Sequence, residues 1–171
     1  MGKDKLIKRL RWYYPLEKFH AFFTFPLLTI YFLMKYPFIK SIWFIYGMSV
    51  CIAVLYQGQK YWQLKLWRLE GKSFSQVKNL RFFKKARRIN FLLIAGMPIV
   101  LAVQLLIADW AVTDFDLLLW SFAANLFAVL EHVNYYHTQL MVDNTADVAY
   151  ILRNKKFKTA SLAKDLKENS F

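Results

Sequence analysis

Four stretches of this chain stay apolar for about the twenty residues a helix needs to cross a bilayer, and the cations lie between them. The stretches are residues 16–34, 38–56, 89–108 and 117–137. A soluble basic domain would interleave its Lys and Arg with apolar residues at helical or strand periodicity. The chain is 57% hydrophobic and 19% aromatic, with a formal net charge of +13. That suits either a nucleic-acid binder or a membrane protein with basic flanks, and the blocks decide for the membrane. The expected fold class is all-α: a polytopic membrane protein, one domain over residues 1–171. It has four transmembrane helices, a cytoplasmic helical extension and a surface helix.

Residues 1–15 read as a basic lead-in, with Trp12, Tyr13 and Tyr14 as an aromatic interface belt and Pro15 in the first turn of a helix. The apolar run that follows mimics a signal peptide, but it is too long and no A-x-A-like site follows, so it reads as a retained span. Pro26 should kink that span. Lys35-Tyr36-Pro37 should turn into the second, which is expected to run past the membrane to about Gly71. The basic segment 57–88 contains no span. Within it Lys78, Arg81, Lys84, Lys85 and Arg88 share one side of a helix, the pattern of a helix lying on an anionic lipid surface. Pro98 should kink the third span, and residues 109–116 form a loop with three aspartates and no cation. The tail, 142–171, should hold two short helices. One starts near Asn144 or Thr145, with Asp147 at its positive end, and the other starts at Ser161.

Charge sets the expected topology. Of 24 Lys and Arg, only Lys35 and Lys40 lie in the first turn and none in the acidic loop. The positive-inside rule then puts both termini and residues 57–88 on the cytoplasmic side of an integral, multi-pass protein. Span one enters from that side and span four leaves there. His20, His132 and His137, with Glu17, Glu131, Asn134, Gln57, Gln59 and Asn90, therefore gather at the inner end. Polar groups at membrane depth are costly and point to function.

Helical geometry sharpens the cluster. Ser121, Asn125, Ala128, His132, Tyr136 and Gln139 form one stripe of span four, and Glu131, Asn134, Tyr135 and Thr138 a second. Glu17 and His20 have the i, i+3 spacing of carboxylate metal sites in bundles. Glu17 and His20, set against Glu131 or His132, could bind a transition metal, or His20 and His132 could be axial ligands of a haem. The Asn125–His132 stripe could instead form a proton or ion path. Against these stands hydrogen bonding between helices, each bond worth ~0.6 kcal/mol in a membrane. On that reading Tyr135 and Tyr136 are ordinary belt residues. Gly47-x-x-x-Cys51 and Ala124-x-x-x-Ala128 offer small faces for close helix packing.

No phosphate-binding glycine loop, dinucleotide fingerprint, H-E-x-x-H or G-x-S-x-G is present, and three histidines cannot supply the boxes of membrane desaturases. The lone cysteine, Cys51, allows no intramolecular disulfide. RLRWYYPLEKFHAFFTFPLLTIYF, LEHVNYYHTQLM and LRNKKFKTASLAKDL together resemble small four-span membrane proteins of cyanobacterial type. The likeness covers most of the chain and implies a membrane bundle with no known activity. The expected function is a non-enzymatic accessory or assembly component of a membrane complex. The alternatives are a haem or metal redox protein built on His20 and His132, and an ion or proton transporter component. The expected partners are anionic lipids and other membrane proteins, not nucleic acid.

Overall fold

The computed structural model describes residues 3–108, 114–142 and 144–171, apart from the side chain of Ala146. The described residues form an all-helical chain: α1 (Lys3–Phe19), a π-helical turn (His20–Thr24), α2 (Phe25–Lys35), α3 (Phe38–Leu69), α4 (Gln76–Ile107), α5 (Phe115–Tyr136), α6 (Thr145–Asn154) and α7 (Ser161–Glu168). Three of these, α3, α4 and α5, are long and apolar enough to cross a membrane. The expected acidic loop lies outside the described residues from 109 to 113.

The bundle is assembled around α3, against which α1, the π turn, α2, α4 and α5 all pack. Two glycines three helical turns apart let α5 approach it closely. A Cβ on Gly47 would sit 2.9 Å from the backbone nitrogen of Asn125, and one on Gly58 would overlap the Tyr135 ring. Cys51, Val54 and Ala128 fill the seam between them and are fully buried. At ~1.5 Å per residue the 32 residues of α3 span ~48 Å, well beyond a ~30 Å hydrocarbon core. The helix stops at Gly71, whose φ of 73° suits glycine. Lys72 N–H bonds the Trp67 carbonyl at 2.9 Å and Gly71 N–H bonds that of Arg68 at 3.2 Å, the paired closure of a Schellman motif.

Three expectations need correction. Residues 75–88 are not a separate surface helix: α4 runs unbroken through Arg88 into the third apolar stretch. No Gly, Pro or cap stands at that junction to turn the chain. The face with Phe83 and Ala86 is buried within the protein, with Phe83 packed against Tyr61 and Phe171. Lys78, Arg81, Lys84, Lys85 and Arg88 therefore stand on the N-terminal half of the same continuous helix. The lead-in 1–15 is likewise helical from Lys3, so Pro15 lies in mid-helix. That costs ~3 kcal/mol locally, and it is offset where Leu10 is buried and Arg11 Nη2 pairs with Glu70 Oε1 at 2.9 Å. Third, the first apolar stretch is not one regular helix. Just before Pro26 the helix widens, and Phe25 N–H bonds the His20 carbonyl five residues back. Proline lacks an N–H and its ring crowds the preceding turn, which a π turn relieves.

The tail folds back onto the same end of the bundle. Asn134 Oδ1 accepts from Leu140 and Met141 N–H at 2.8 and 3.2 Å, closing α5. Gln139 N–H bonds the Lys158 carbonyl and Ala160 N–H that of His137, around a bridge between Thr138 and Thr159. The helices α6 and α7 begin where the sequence suggests, with the Asn144 side chain accepting from Asp147 N–H. Leu162 and Leu166, four apart on α7, are buried in the main core. Tyr61 donates to Asp165 Oδ2 at 2.7 Å.

Candidate functional site

Of the polar side chains expected at one end of the bundle, Gln57, Asn90, His132 and His137 meet in one group and Glu17 and Asn134 belong to another, while His20 stands apart from both. The first joins α3, α4 and α5. Gln57 and Asn90 exchange amide hydrogen bonds at 3.0 and 2.8 Å. The Tyr136 hydroxyl donates to Gln57 Oε1 at 2.6 Å. Asn90 Nδ2 approaches His132 Nδ1 at 3.4 Å, and the His132 ring stacks on Tyr136 and meets His137 edge-on. All four core members are buried, Asn90 completely. In a low-dielectric interior such a network is strong only when its members are satisfied, and Gln57 Oε1 uses both lone pairs here.

The second group faces α1. The Tyr135 hydroxyl donates to Glu17 Oε1 at 2.7 Å. It lines a cavity of about 350 Å³ bounded by α1, α3, the end of α5 and the tail. Tyr13, Trp62, Lys65 and Asn134 also face this space. At its floor Asp147 Oδ1 pairs with Lys158 Nζ at 2.6 Å, while Asp147 Oδ2 accepts from Gln139 and Asn144. The volume falls in the range of small-ligand pockets. Sequence reading missed it because its walls come from segments more than a hundred residues apart. Beyond it, Glu70 receives Lys72 and Arg11, whose hydrogen bonds hold its carboxyl below the ordinary range.

The sequence-predicted site residues divide accordingly. His132 faces α4, whereas the π turn carrying His20 packs on α1, α2 and α3. The His20 ring contacts Thr24, Phe19 and Phe25, and it makes no contact with His132. Glu17 bonds Tyr135, and Glu131 stands three residues before Asn134 on α5. Among the described residues no group of three or more His, Cys, Asp or Glu converges as metal ligands would. Asn125 donates to the Trp43 carbonyl at 3.0 Å and the Ser121 carbonyl at 2.8 Å, clamping α5 to α3. The expected stripe Ser121, Asn125, Ala128, His132 and Tyr136 is the buried face of α5. Tyr135 and Tyr136 are not interface-belt residues: both are buried and both hydroxyls bond within the protein, because the tail covers the end of α5. Comparison with family models, curated proteins and solved structures found no match for this chain.

Proposed function

We propose that this is a four-pass integral membrane protein, with both termini and the α3–α4 connection on the cytoplasmic side, acting as a non-enzymatic accessory or assembly component of a larger membrane complex. The observation that carries the reading is how its polar interior is used. Gln57, Asn90, His132 and Tyr136 bond one another across three helices, and Glu17 bonds Tyr135. These groups join helices to one another, which is what a scaffold requires of them. The fourth crossing comes from the run through the π turn and α2, where Phe19, Phe22, Phe23, Leu27, Ile30 and Met34 are exposed apolar residues suited to lipid. The apolar part of α4 is outward-facing over most of its surface and buries only Met97 among its large apolar residues. A peripheral helix of this kind suits contact with lipid and with a membrane partner.

The redox and transport alternatives draw less support. His20 and His132 sit in different surroundings, and the Asn125–His132 stripe is closed by Ala128 against α3. Two measurements test the proposal. Reporters placed after Phe171 and at Lys72 should read the cytoplasmic side, and one inserted at position 113 the opposite side. If Lys72 and position 113 read alike, the four-pass arrangement fails. His20→Gln, Glu131→Gln and His132→Gln should each rescue a deletion phenotype in proportion to protein abundance. Abundant variants of His20 and His132 that both fail to rescue, with a Soret band lost from each, would overturn the accessory reading in favour of haem.

A further inference from the structure

A second cleft, of about 1140 Å³, opens between α4, the end of α5 and α7. Its charge is of one sign. Lys84, Arg87 and Arg88 line it from α4 and Lys167 from α7, and no Asp or Glu does. Lys84 donates to Asn169 Oδ1 at 2.6 Å, so the C-terminal segment braces this wall. Arg87, Arg88 and Lys167 form no ion pair among the described residues.

The cleft is also amphiphilic along α4. Arg87 and Phe91 are four residues apart, as are Arg88 and Leu92, so each apolar residue stands directly beneath a cation on the same helix face. The step is ~6 Å along the axis. Phe91 and Leu92 are each 68% exposed. Arg88 is the last cation before residues 89–108, which carry no charged residue. The cations thus stand at the edge of the apolar segment, and the exposed apolar wall continues inward from them.

We infer that this cleft binds one anionic phospholipid, with its phosphate held by Arg87, Arg88 and Lys167 and its acyl chains lying along Phe91 and Leu92. Arginine forks match phosphate oxygens bidentately. A soluble phosphate compound would use the cations alone and leave the apolar wall in contact with water or another lipid. The phospholipid satisfies both halves of the cleft. A bound lipid would also tie α7 to α4, making the tail's position depend on the leaflet's composition. The inference rests on the reading that α4 and α5 cross a bilayer, and alkaline carbonate extraction of membranes tests that step separately.

The experiment is native mass spectrometry of the full chain, purified in non-ionic detergent with equal phosphatidylglycerol and phosphatidylcholine. The expected result is one retained phosphatidylglycerol in clear preference to phosphatidylcholine. Arg87→Gln with Arg88→Gln should reduce that preference by about 25-fold, and Lys167→Gln by about fivefold, at roughly fivefold per interfacial cation. Lys155→Gln with Lys156→Gln, on exposed tail residues outside the cleft, should leave it unchanged. If the double arginine variant loses its helical circular dichroism, the exposed Lys167→Gln variant decides. Equal retention of the two lipids, or an equal loss in the tail control, would overturn the inference. Displacement of the retained lipid by micromolar glycerol 3-phosphate would also overturn it, assigning the cations to a soluble phosphate ligand. A protein released by carbonate would refute the membrane reading instead.

Discussion

Exchanging Gln57 for methionine should cost far more than the loss of one hydrogen bond, and a second substitution should recover part of the loss. Gln57 takes part in three bonds, with Asn90 at 3.0 and 2.8 Å and with Tyr136 at 2.6 Å. Methionine keeps the unbranched shape but strands Asn90 Oδ1 and the Tyr136 hydroxyl, both within buried residues. At ~1–2 kcal/mol for each stranded group, the cost of Gln57→Met is ~2–4 kcal/mol. Tyr136→Phe removes the donor itself, and Gln57 Oε1 keeps its bond from Asn90. Its cost should be only ~0.6 kcal/mol, the usual value for one such bond in a membrane. Asn90→Leu reproduces the branched shape and strands mainly Gln57 Nε2, for ~1–3 kcal/mol. In the double variant Gln57→Met/Asn90→Leu the two amides vanish together and only the Tyr136 hydroxyl stays stranded, so the sum of the single costs should exceed the measured cost by ~2–5 kcal/mol, the penalties of Asn90 Oδ1 and Gln57 Nε2. Reversible unfolding in mixed micelles, followed by tryptophan fluorescence, measures all four variants. Additivity within ~0.5 kcal/mol would refute the argument, as would a Tyr136→Phe variant as unstable as Gln57→Met. Full rescue of a deletion phenotype by the double variant would further mark the network as a helix clamp.

Two other outcomes follow from the packing and the surface charge. Gly47→Ala should destabilise by ~1–3 kcal/mol, since its Cβ would lie 2.6 Å from Asn125 Nδ2 and 2.9 Å from the Asn125 backbone nitrogen, and the backbone atom cannot swing away. Adding Asn125→Ala should recover only part of that loss in the same unfolding assay, and full recovery would count against close backbone approach as the cause. Glu70 has its carboxyl held below the ordinary range by Lys72 and Arg11. A depressed folded value means that its stabilisation is present above the unfolded value and is lost as pH falls through the folded one. Acid titration of thermal stability should therefore show a component that Glu70→Gln abolishes, and identical profiles for the two proteins would reject it.

Much of this molecule is legible in the order of its residues because it depends on local period and composition. The apolar stretches, the turn at Tyr36 and Pro37, the stop at Gly71 and the starts of α6 and α7 are each fixed by residues within a few positions of one another. The buried stripe of α5 follows from helical spacing alone, since Ser121, Asn125, Ala128, His132 and Tyr136 recur every three or four residues. The same local reading separated residues 75–88 from the third apolar stretch, because charge changes sharply at Arg88. Helix continuity depends on backbone breaks, not on charge, and there is none there. Partnerships across the bundle lie beyond local reading. Glu17 is 118 positions from Tyr135, and Tyr61 is 104 from Asp165. Many groups on adjacent helices could have bonded either one, and the choice among them is made by close packing at Gly47 and Gly58, which sets the height of α5 against α3. The tail then follows, because Leu162 and Leu166 find their apolar surface only once α3, α4 and α5 stand together.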